Sequence, residues 1–197
     1  MGSEDKTPEE TPEDVETCEY EDFSINVHQN EVHFTGDITS ESVHQLSMKM
    51  RALDKRLSLF NGEQIIHLFI TSDGGCLFSG FKCYDIISSL RCTIHTYAVG
   101  LVASAGTLPF MAGSKRFMGD YSFVLIHQLS KGVSVGEKFE EAKANLKNDK
   151  MLMKKMRKLV ESKGNVPEDK LTEMLKNDIY LDSEKCHKWA IAQPWFK

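Results

Sequence analysis

The chain has 197 residues, of which 41% are hydrophobic and 27% are charged, and its formal net charge at pH 7 is −5. This balance is typical of one globular domain and excludes a chain disordered throughout, a collagen-like chain and a basic surface that coats nucleic acid. The five cysteines include no C-x-x-C pair, so we expect free thiols in a reducing compartment and no zinc site.

Residues 1–20 form an acidic leader with eight acidic residues, one lysine and two prolines. Such a segment buries too little apolar surface to offset its ordering entropy, so we expect it to be disordered, as a solvated tail or as an acidic docking arm. It lacks the basic and apolar regions of a signal peptide, and no apolar run in the chain approaches the roughly 20 residues of a membrane span. We therefore expect a cytoplasmic protein without membrane contact, and a single domain over residues 21–197.

Strands and helices alternate in the first two thirds of this domain, which predicts an α/β fold with parallel, right-handed βαβ units. We expect the apolar run Gln64–Ile70 to be a strand covered on both faces. The other predicted strands are Ser24–His28, Glu31–Phe34, Thr93–Val99, Lys115–Met118 and Ser122–Ile126. Three helices are predicted in the same part of the chain. The first is capped by Thr39 or Ser40, and its apolar face carries Val43, Leu46, Met50 and Leu53. The second carries Leu77, Phe81, Tyr84 and Ile87 on its apolar face, and the third spans Ala103–Gly113.

A long helix over residues 135–163 follows, bounded by a capping box at Ser134–Glu137 and by Gly164. Its apolar residues recur every seven positions, which favours a projecting helix that binds a partner; packing on the helix's own sheet is the alternative. The members of this seam are Phe139, Ala142, Leu146, Met153, Met156 and Val160. Two shorter helices are predicted, one over Pro167–Lys176 and one from a cap at Asp182 or Ser183 to Trp189.

Four polar features lie where predicted elements end. The turn Thr71–Gly75 follows a strand, Ser104 lies near a helix N-terminus, His127 ends the strand Ser122–Ile126, and Asp178 precedes the extended piece Ile179–Leu181. Each has a structural alternative, namely a turn, a helix cap, a buried histidine and a turn residue. Together they supply a hydroxyl nucleophile, a base, an orienting acid and oxyanion donors, the parts of an acyl-transfer site.

The motifs closely resemble the Clp protease proteolytic subunit, a serine peptidase family, over about residues 31–193. The most specific segments are IIHLFITSDGG, VGLVASAGTLPFMAGSKRFMGDYSFVLIHQ and LKNDIYLDSEKCHKWAI. The resemblance implies a crotonase-like spiral of ββα units with residues 135–163 as a handle helix. It also implies that Ser104 is the nucleophile, His127 the base and Asp178 the orienting carboxylate, with the backbone N–H groups of Gly75 and Ala105 as the oxyanion hole.

The same resemblance implies an assembly and a substrate. Subunits would form a heptameric ring, and two rings would stack through their handles around a chamber in which peptide bonds of unfolded polypeptides are hydrolysed through an acyl-enzyme. The substrate would lie as an added strand beside the segment after Gly75 and beside Gly132, Val133, Ser134 and Val135. We expect no metal, no cofactor and no nucleic-acid partner.

The chain departs from the family pattern at Asp73, Ala105 and Leu129 and in its acidic leader, which replaces the axial loop that contacts an ATP-driven AAA+ unfoldase. This replacement argues against unfoldase docking. It leaves open action on loosely folded chains, a different adaptor, or a capsid-maturation protease of a viral branch. A catalytically silent ring subunit and a crotonase-type acyl-CoA enzyme are the alternatives from other functional classes.

Overall fold

The computed structural model describes residues 23–129, 138–174 and 176–195, in which one eight-stranded mixed sheet carries helices beside it. The strands are β1 (Phe23–His28), β2 (Glu31–Gly36), β3 (Ile65–Ser72), β4 (Thr93–Ala103), β5 (Lys115–Met118), β6 (Phe123–Ile126), β7 (Ile179–Leu181) and β8 (Gln193–Pro194). The helices are α1 (Ser40–Leu57), α2 (Leu77–Ser88), α3 (Thr107–Met111), α4 (Phe139–Lys163), α5 (Glu168–Glu173) and α6 (Ser183–Lys188). The acidic leader lies outside the described residues.

Strand pairing follows the chain order at the centre of the sheet. β1 and β2 form an antiparallel hairpin, and β2, β3, β4 and β5 pair in parallel, with β8 beyond β5. β6 pairs in parallel with the far end of β4, and β7 pairs antiparallel with β6. The predicted parallel βαβ unit is confirmed for β3, α2 and β4. β8 is not predicted from the sequence because two residues carry no periodic signal.

The two faces of β3 differ in burial. Ile66, Leu68 and Ile70 are fully buried against the helices, whereas the intervening positions are only half-buried. The expectation that this strand is covered on both faces is therefore wrong for the single chain. Stacked aromatic rings line the second face instead: Phe69 lies 4.4 Å from Tyr97 between ring centroids, and Tyr97 lies 5.0 Å from Phe117.

Helix α1 forms as its sequence predicts. Thr39 is the N-cap, its hydroxyl accepts the Ser42 N–H, and the Ser42 hydroxyl accepts the Thr39 N–H in return. This reciprocal pair satisfies amides that have no partner within the helix. The apolar face packs on the sheet with all four predicted core residues buried; these are Val43, Leu46, Met50 and Leu53.

The end predicted for β4 at Val99 is wrong, because the strand continues to Ala103. A register shift after Ile70 lets Ser72 pair with Val102, and β6 pairs with β4 from Leu101 onward. These tertiary hydrogen bonds keep Leu101–Ala103 in the sheet beyond Gly100, whose φ is +64°. The predicted helix over Ala103–Gly113 is consequently shorter, and consists of a 3₁₀ turn at Ser104–Gly106 followed by α3.

Helix α4 begins at Phe139 rather than at residue 135, because Lys138 has extended backbone angles (φ −75°, ψ 149°). The predicted capping box at Ser134–Glu137 lies outside the described residues. The helix ends at Lys163 as predicted, with Gly164 next. Gly164 is required by close approach rather than by a positive φ, since a Cβ there would lie 2.8 Å from the Trp189 carbonyl oxygen.

The two halves of α4 have different surroundings. Leu152, Met156 and Val160 are buried against the body, whereas Phe139 and Leu146 expose 79% and 54% of their surface. The exposed N-terminal half agrees with the predicted projecting handle. Within residues 23–129, 138–174 and 176–195, no helix combines the length and the apolar character that a membrane crossing requires.

The shorter C-terminal helices end earlier than predicted. α5 begins after Pro167 and stops at Glu173, and α6 stops at Lys188. Of the two candidate caps, Asp182 is the one that accepts a hydrogen bond, from the Lys185 N–H at 2.9 Å.

Candidate active site

Ser104 sits at a sharp turn between the end of β4 and α3. Its φ is +52°, an uncommon value for a residue other than glycine, and its carbonyl accepts a hydrogen bond from the Thr107 hydroxyl at 2.6 Å. Gly106 permits the tight fit behind it, because a Cβ there would lie 2.8 Å from Ser72 Cβ. The side chain of Ser104 is half-buried and lines a cavity. Backbone strain at a residue whose hydroxyl lines a cavity is a pattern found at functional sites.

The turn Gly74–Gly75 lies directly against Ser104. A Cβ on Gly74 would come within 2.5 Å of Ser104 Cβ, and the φ values of Gly74 and Gly75 are +112° and +132°. The turn is anchored on its far side, where the Ile38 N–H donates to the Gly74 carbonyl at 2.6 Å and the Cys76 N–H donates to the Ile38 carbonyl at 2.7 Å. Both glycines are therefore needed, for positive φ and for close approach.

The amide of Gly75 is left available by this arrangement. In a ladder between strands, alternate residues direct their N–H groups to opposite sides, and here residues 74 and 76 face Ile38. The Gly75 N–H accordingly has no hydrogen-bond partner among the described residues. Ala105 contributes a second amide in the first turn of the 3₁₀ segment, where N–H groups lack intrahelical acceptors. Both amides belong to the segments that flank Ser104.

His127 and Asp178 are brought together by strand pairing. Ile126 of β6 pairs with Ile179 of β7 at one end of this ladder, and His127 and Asp178 are the next residues of the two chains beyond that pair. His127 is half-buried and lines the cavity with Ser104, whereas Asp178 is exposed and is not among the described lining residues. The β6–β7 ladder therefore places two residues that lie far apart in the sequence next to the same end of one strand pair.

The cavity has a volume of about 260 Å³ and combines polar and apolar walls. Three residues that the sequence assigns to the site, Ser104, His127 and Gly75, line this cavity. Its described lining is completed by Asp73, Leu77, Gln128, Leu129, Met153 and Met156. A cleft in which an alcohol, an imidazole and an apolar recess meet is suited to hold an acyl group beside a nucleophile.

The hydrogen bonds expected between Ser104, His127 and Asp178 are not formed in the single chain. Among the described residues, Ser104 Oγ makes no hydrogen bond with the His127 ring, and that ring makes none with the Asp178 carboxylate. The expected substrate-strand residues Gly132, Val133, Ser134 and Val135 lie outside the described residues.

The spacing of Met153 and Met156 predicts that they belong to a seam facing a partner, and the structure corrects this. Both line the cavity of their own subunit, and Met156 is buried. A seven-residue repeat marks one side of a helix without stating what that side contacts. Leu77 and Gln128 also line the cavity; the sequence predicts Leu77 only as part of a helix face, and Gln128 only by its position after His127.

Cys76 is the exposed thiol that follows the glycine turn. Hydrogen bonding to Ser79 lowers its pKa, whereas burial raises the pKa of Cys83 and of Cys186 to about 12. Among the four cysteines that the structure describes, the thiolate form, which is the reactive one, is therefore most accessible at Cys76.

Comparison with known families agrees with this geometry. The sequence model of the Clp protease family matches residues 15–194. The chain belongs to the Clp protease family. This match confirms the family that the motifs predict. Members of this family hydrolyse peptide bonds.

Two curated Clp protease relatives align over most of their length. The ATP-dependent Clp protease proteolytic subunit of Bdellovibrio bacteriovorus is 26% identical over 157 residues, which covers 78% of this chain and 72% of the relative. The subunit of the same name from Epifagus virginiana is 27% identical over 152 residues, with coverage of 75% and 76%.

Solved structures agree on the fold. ClpP1 from Listeria monocytogenes matches with a TM-score of 0.70 at 21% identity, over 84% of this chain and 90% of that one. Its N165D mutant matches with a TM-score of 0.66 at 22% identity. Clp protease subunits have the crotonase-like fold, so the expected fold class is confirmed.

Proposed function

We propose that this chain is a serine endopeptidase that hydrolyses peptide bonds of unfolded polypeptides through an acyl-enzyme. Ser104 is the nucleophile, His127 the general base and Asp178 the carboxylate that orients the imidazole. The observation that carries the proposal is the meeting of Ser104, His127 and Gly75 in one cavity, because these residues come from three separate strand ends. Membership of the Clp protease family supports the same reaction class.

The reaction follows from the chemistry of these groups. His127 Nε2 takes the Ser104 hydroxyl proton as Oγ attacks the peptide carbonyl carbon, and it then gives that proton to the departing amine. A water molecule, deprotonated by the same imidazole, releases the acyl group and restores Ser104. Asp178 holds the imidazole tautomer and stabilises the imidazolium. No metal, cofactor or nucleotide takes part in these steps.

The negative oxygen of the tetrahedral intermediate is stabilised by the N–H groups of Gly75 and Ala105. The lack of a partner for the Gly75 N–H in the described chain supports this role, since a preorganised donor needs no reorganisation during the reaction. The apolar wall formed by Leu77, Leu129 and the two α4 methionines is suited to a hydrophobic substrate side chain. The substrate backbone adds as a strand beside the segment after Gly75 and residues 132–135.

Assembly into a heptameric ring, with two rings joined through α4, is part of the proposal. It is supported by the exposed apolar side chains Phe139 and Leu146 on the N-terminal half of α4, which a single chain leaves in water. Ring assembly would also bring Ser104, His127 and Asp178 into hydrogen-bonding positions. A closed rotational contact of this kind makes a ring rather than a filament.

Labelling with a fluorophosphonate tests the catalytic assignment. The assembled protein should be labelled stoichiometrically at Ser104, and His127→Ala should abolish labelling while circular dichroism and thermal unfolding stay close to those of the wild type. Removal of Ser104 should lower peptide hydrolysis by about 10⁶-fold. A wild-type protein that assembles without being labelled would contradict the proposal.

The open hydrogen bonds favour a second candidate, a catalytically silent ring subunit that shapes an assembly with an active relative. The two candidates differ in one measurement. Ser104 of a silent subunit does not react with the fluorophosphonate, either when the chain is alone or when it shares a ring with the active relative. Ser104 of an endopeptidase aligned by assembly does react, at protein concentrations at which light scattering detects rings.

A further inference from the structure

The cavity carries a carboxylate that the proposed reaction does not use. Asp73 lies one residue before Gly74, whose backbone touches Ser104, and its exposed side chain lines the cavity. It is the only carboxylate among the described lining residues. A substrate segment seated beside Ser104 and Gly75 therefore passes next to a negative charge.

Asp73 has no partner of its own. Within the part of the chain that the structure describes, no lysine, arginine or histidine nitrogen lies within 4.0 Å of its carboxylate, and it makes no side-chain hydrogen bond. Two other aspartates are paired within the fold: Asp54 accepts two backbone N–H groups, and Asp182 caps α6. The carboxylate of Asp73 is thus available to an incoming group.

We propose that Asp73 is a specificity-determining residue, which favours substrates with a lysine or arginine beside the scissile bond. This inference rests on the proposed function, because it assigns a substrate class to the same cleft. The basic side chain pairs with Asp73 while a neighbouring apolar side chain occupies the recess formed by Leu77, Met153 and Met156. The preferred sequence therefore combines one apolar and one basic residue.

The expected size of the effect follows from the exposure of the carboxylate. An ion pair between solvent-exposed groups has a modest strength, which corresponds to a preference of about two- to fivefold in kcat/KM. Salt screens such a pair strongly, because the Debye length falls to about 3 Å at 1 M ionic strength. A preference that survives high salt would not come from this contact.

The test uses internally quenched decapeptides of one apolar parent sequence. The peptides come in pairs that differ at one position, where one member has lysine and the other has its uncharged analogue norleucine. That position varies between pairs, from three residues before to three residues after the cleaved bond. For the wild type, lysine should raise kcat/KM about two- to fivefold at one or two of these positions. Asp73→Asn should bring that ratio to about one by lowering kcat/KM for the lysine peptides, and 0.5 M NaCl should bring the ratio to about one in the wild type.

Asp120→Asn is the matched control. Asp120 is exposed, lies outside the described cavity lining, and its substitution changes the net charge equally. This variant should keep the lysine preference. An equal loss in both variants would assign the preference to overall charge and overturn the proposal. A faster reaction of Asp73→Asn with every peptide would also overturn it, because the carboxylate would then act by repelling the oxyanion.

A binding measurement separates failure of this inference from failure of the proposed function. Fluorescence anisotropy of the same peptides on Ser104→Ala, with and without Asp73→Asn, needs no catalysis. Suppose that binding to Ser104→Ala shows a lysine preference that depends on Asp73, while the wild type neither hydrolyses peptides nor reacts with the fluorophosphonate. That result retains the inference and overturns the peptidase assignment. No preference in either assay overturns the inference.

Discussion

Gly74→Ala is the substitution for which the structure gives the sharpest expectation. The added Cβ would lie 2.5 Å from Ser104 Cβ and 3.2 Å from Ser104 Oγ, at a φ of +112°. Carbon atoms normally approach to about 3.5–4.0 Å, so Ser104 or the turn must move by about 1 Å or more. A displacement of that size at a reacting group costs about 100-fold in rate, equivalent to about 2.7 kcal/mol at 1.36 kcal/mol per tenfold.

The same substitution also strains the backbone, and a matched control separates the two effects. A residue with a side chain in a sparsely populated region of φ costs about 1–3 kcal/mol in stability. Gly62 has a φ of +91°, and a Cβ added there would meet no atom within 4 Å, so Gly62→Ala carries backbone strain without contact with Ser104. Both variants should be destabilised, and only Gly74→Ala should lose reactivity.

The assay is the rate of fluorophosphonate labelling at Ser104, with urea unfolding of each variant alongside. We expect Gly74→Ala to be labelled about 100-fold more slowly than the wild type, and Gly62→Ala to be labelled at the wild-type rate. Labelling of folded Gly74→Ala at the wild-type rate would refute the reasoning, because the glycine turn would then not set the position of the nucleophile.

Three further predictions concern other parts of the molecule. Burial acts against ionised Asp54, but hydrogen bonds from two backbone N–H groups before β4 outweigh it and lower its pKa. Asp54→Asn should therefore lower the free energy of unfolding by about 1.5–3 kcal/mol at pH 7. In urea unfolding, the difference between wild type and variant should shrink as the pH falls below about 4, and a difference that stays constant would contradict this. Iodoacetamide should modify Cys76 at least about tenfold faster than Cys186 in peptide mapping, and equal rates in folded protein would show that exposure and pKa do not control reactivity here. Phe139→Ser with Leu146→Ser should weaken self-association by about 3 kcal/mol or more in sedimentation, with unchanged monomer unfolding; unaltered assembly would remove α4 from the interface.

Local patterns in the sequence predicted much of the architecture. The Thr39 cap and the spacing of Val43 to Leu53 predicted α1, and the alternation in residues 24–34 predicted the two strands β1 and β2. These predictions are confirmed because caps, turns and amphipathic faces depend on neighbours within a few residues. The end of α4 at Lys163 was also predicted, although the packing of Trp189 against Gly164, rather than a left-handed cap, explains the glycine.

Predictions failed where partners distant in the sequence decide the conformation. β4 continues past Val99 because Ser72 and β6 supply hydrogen bonds to its last residues. Met153 and Met156 face the cavity because the body of the same subunit covers that half of α4. Neither outcome is encoded in the spacing of the residues themselves.

The candidate site shows the same division between local and tertiary information. The sequence by itself determined which residue types could do chemistry and that each lies where a strand or turn ends, because glycine turns and strand boundaries have local signatures. Only the tertiary structure decided that Gly74 touches Ser104, that Ile126 pairs with Ile179 beside His127 and Asp178, and that Asp73 faces the cavity unpaired. Those contacts depend on how strands register and how closely segments approach, and these are properties of the packed sheet rather than of any single segment.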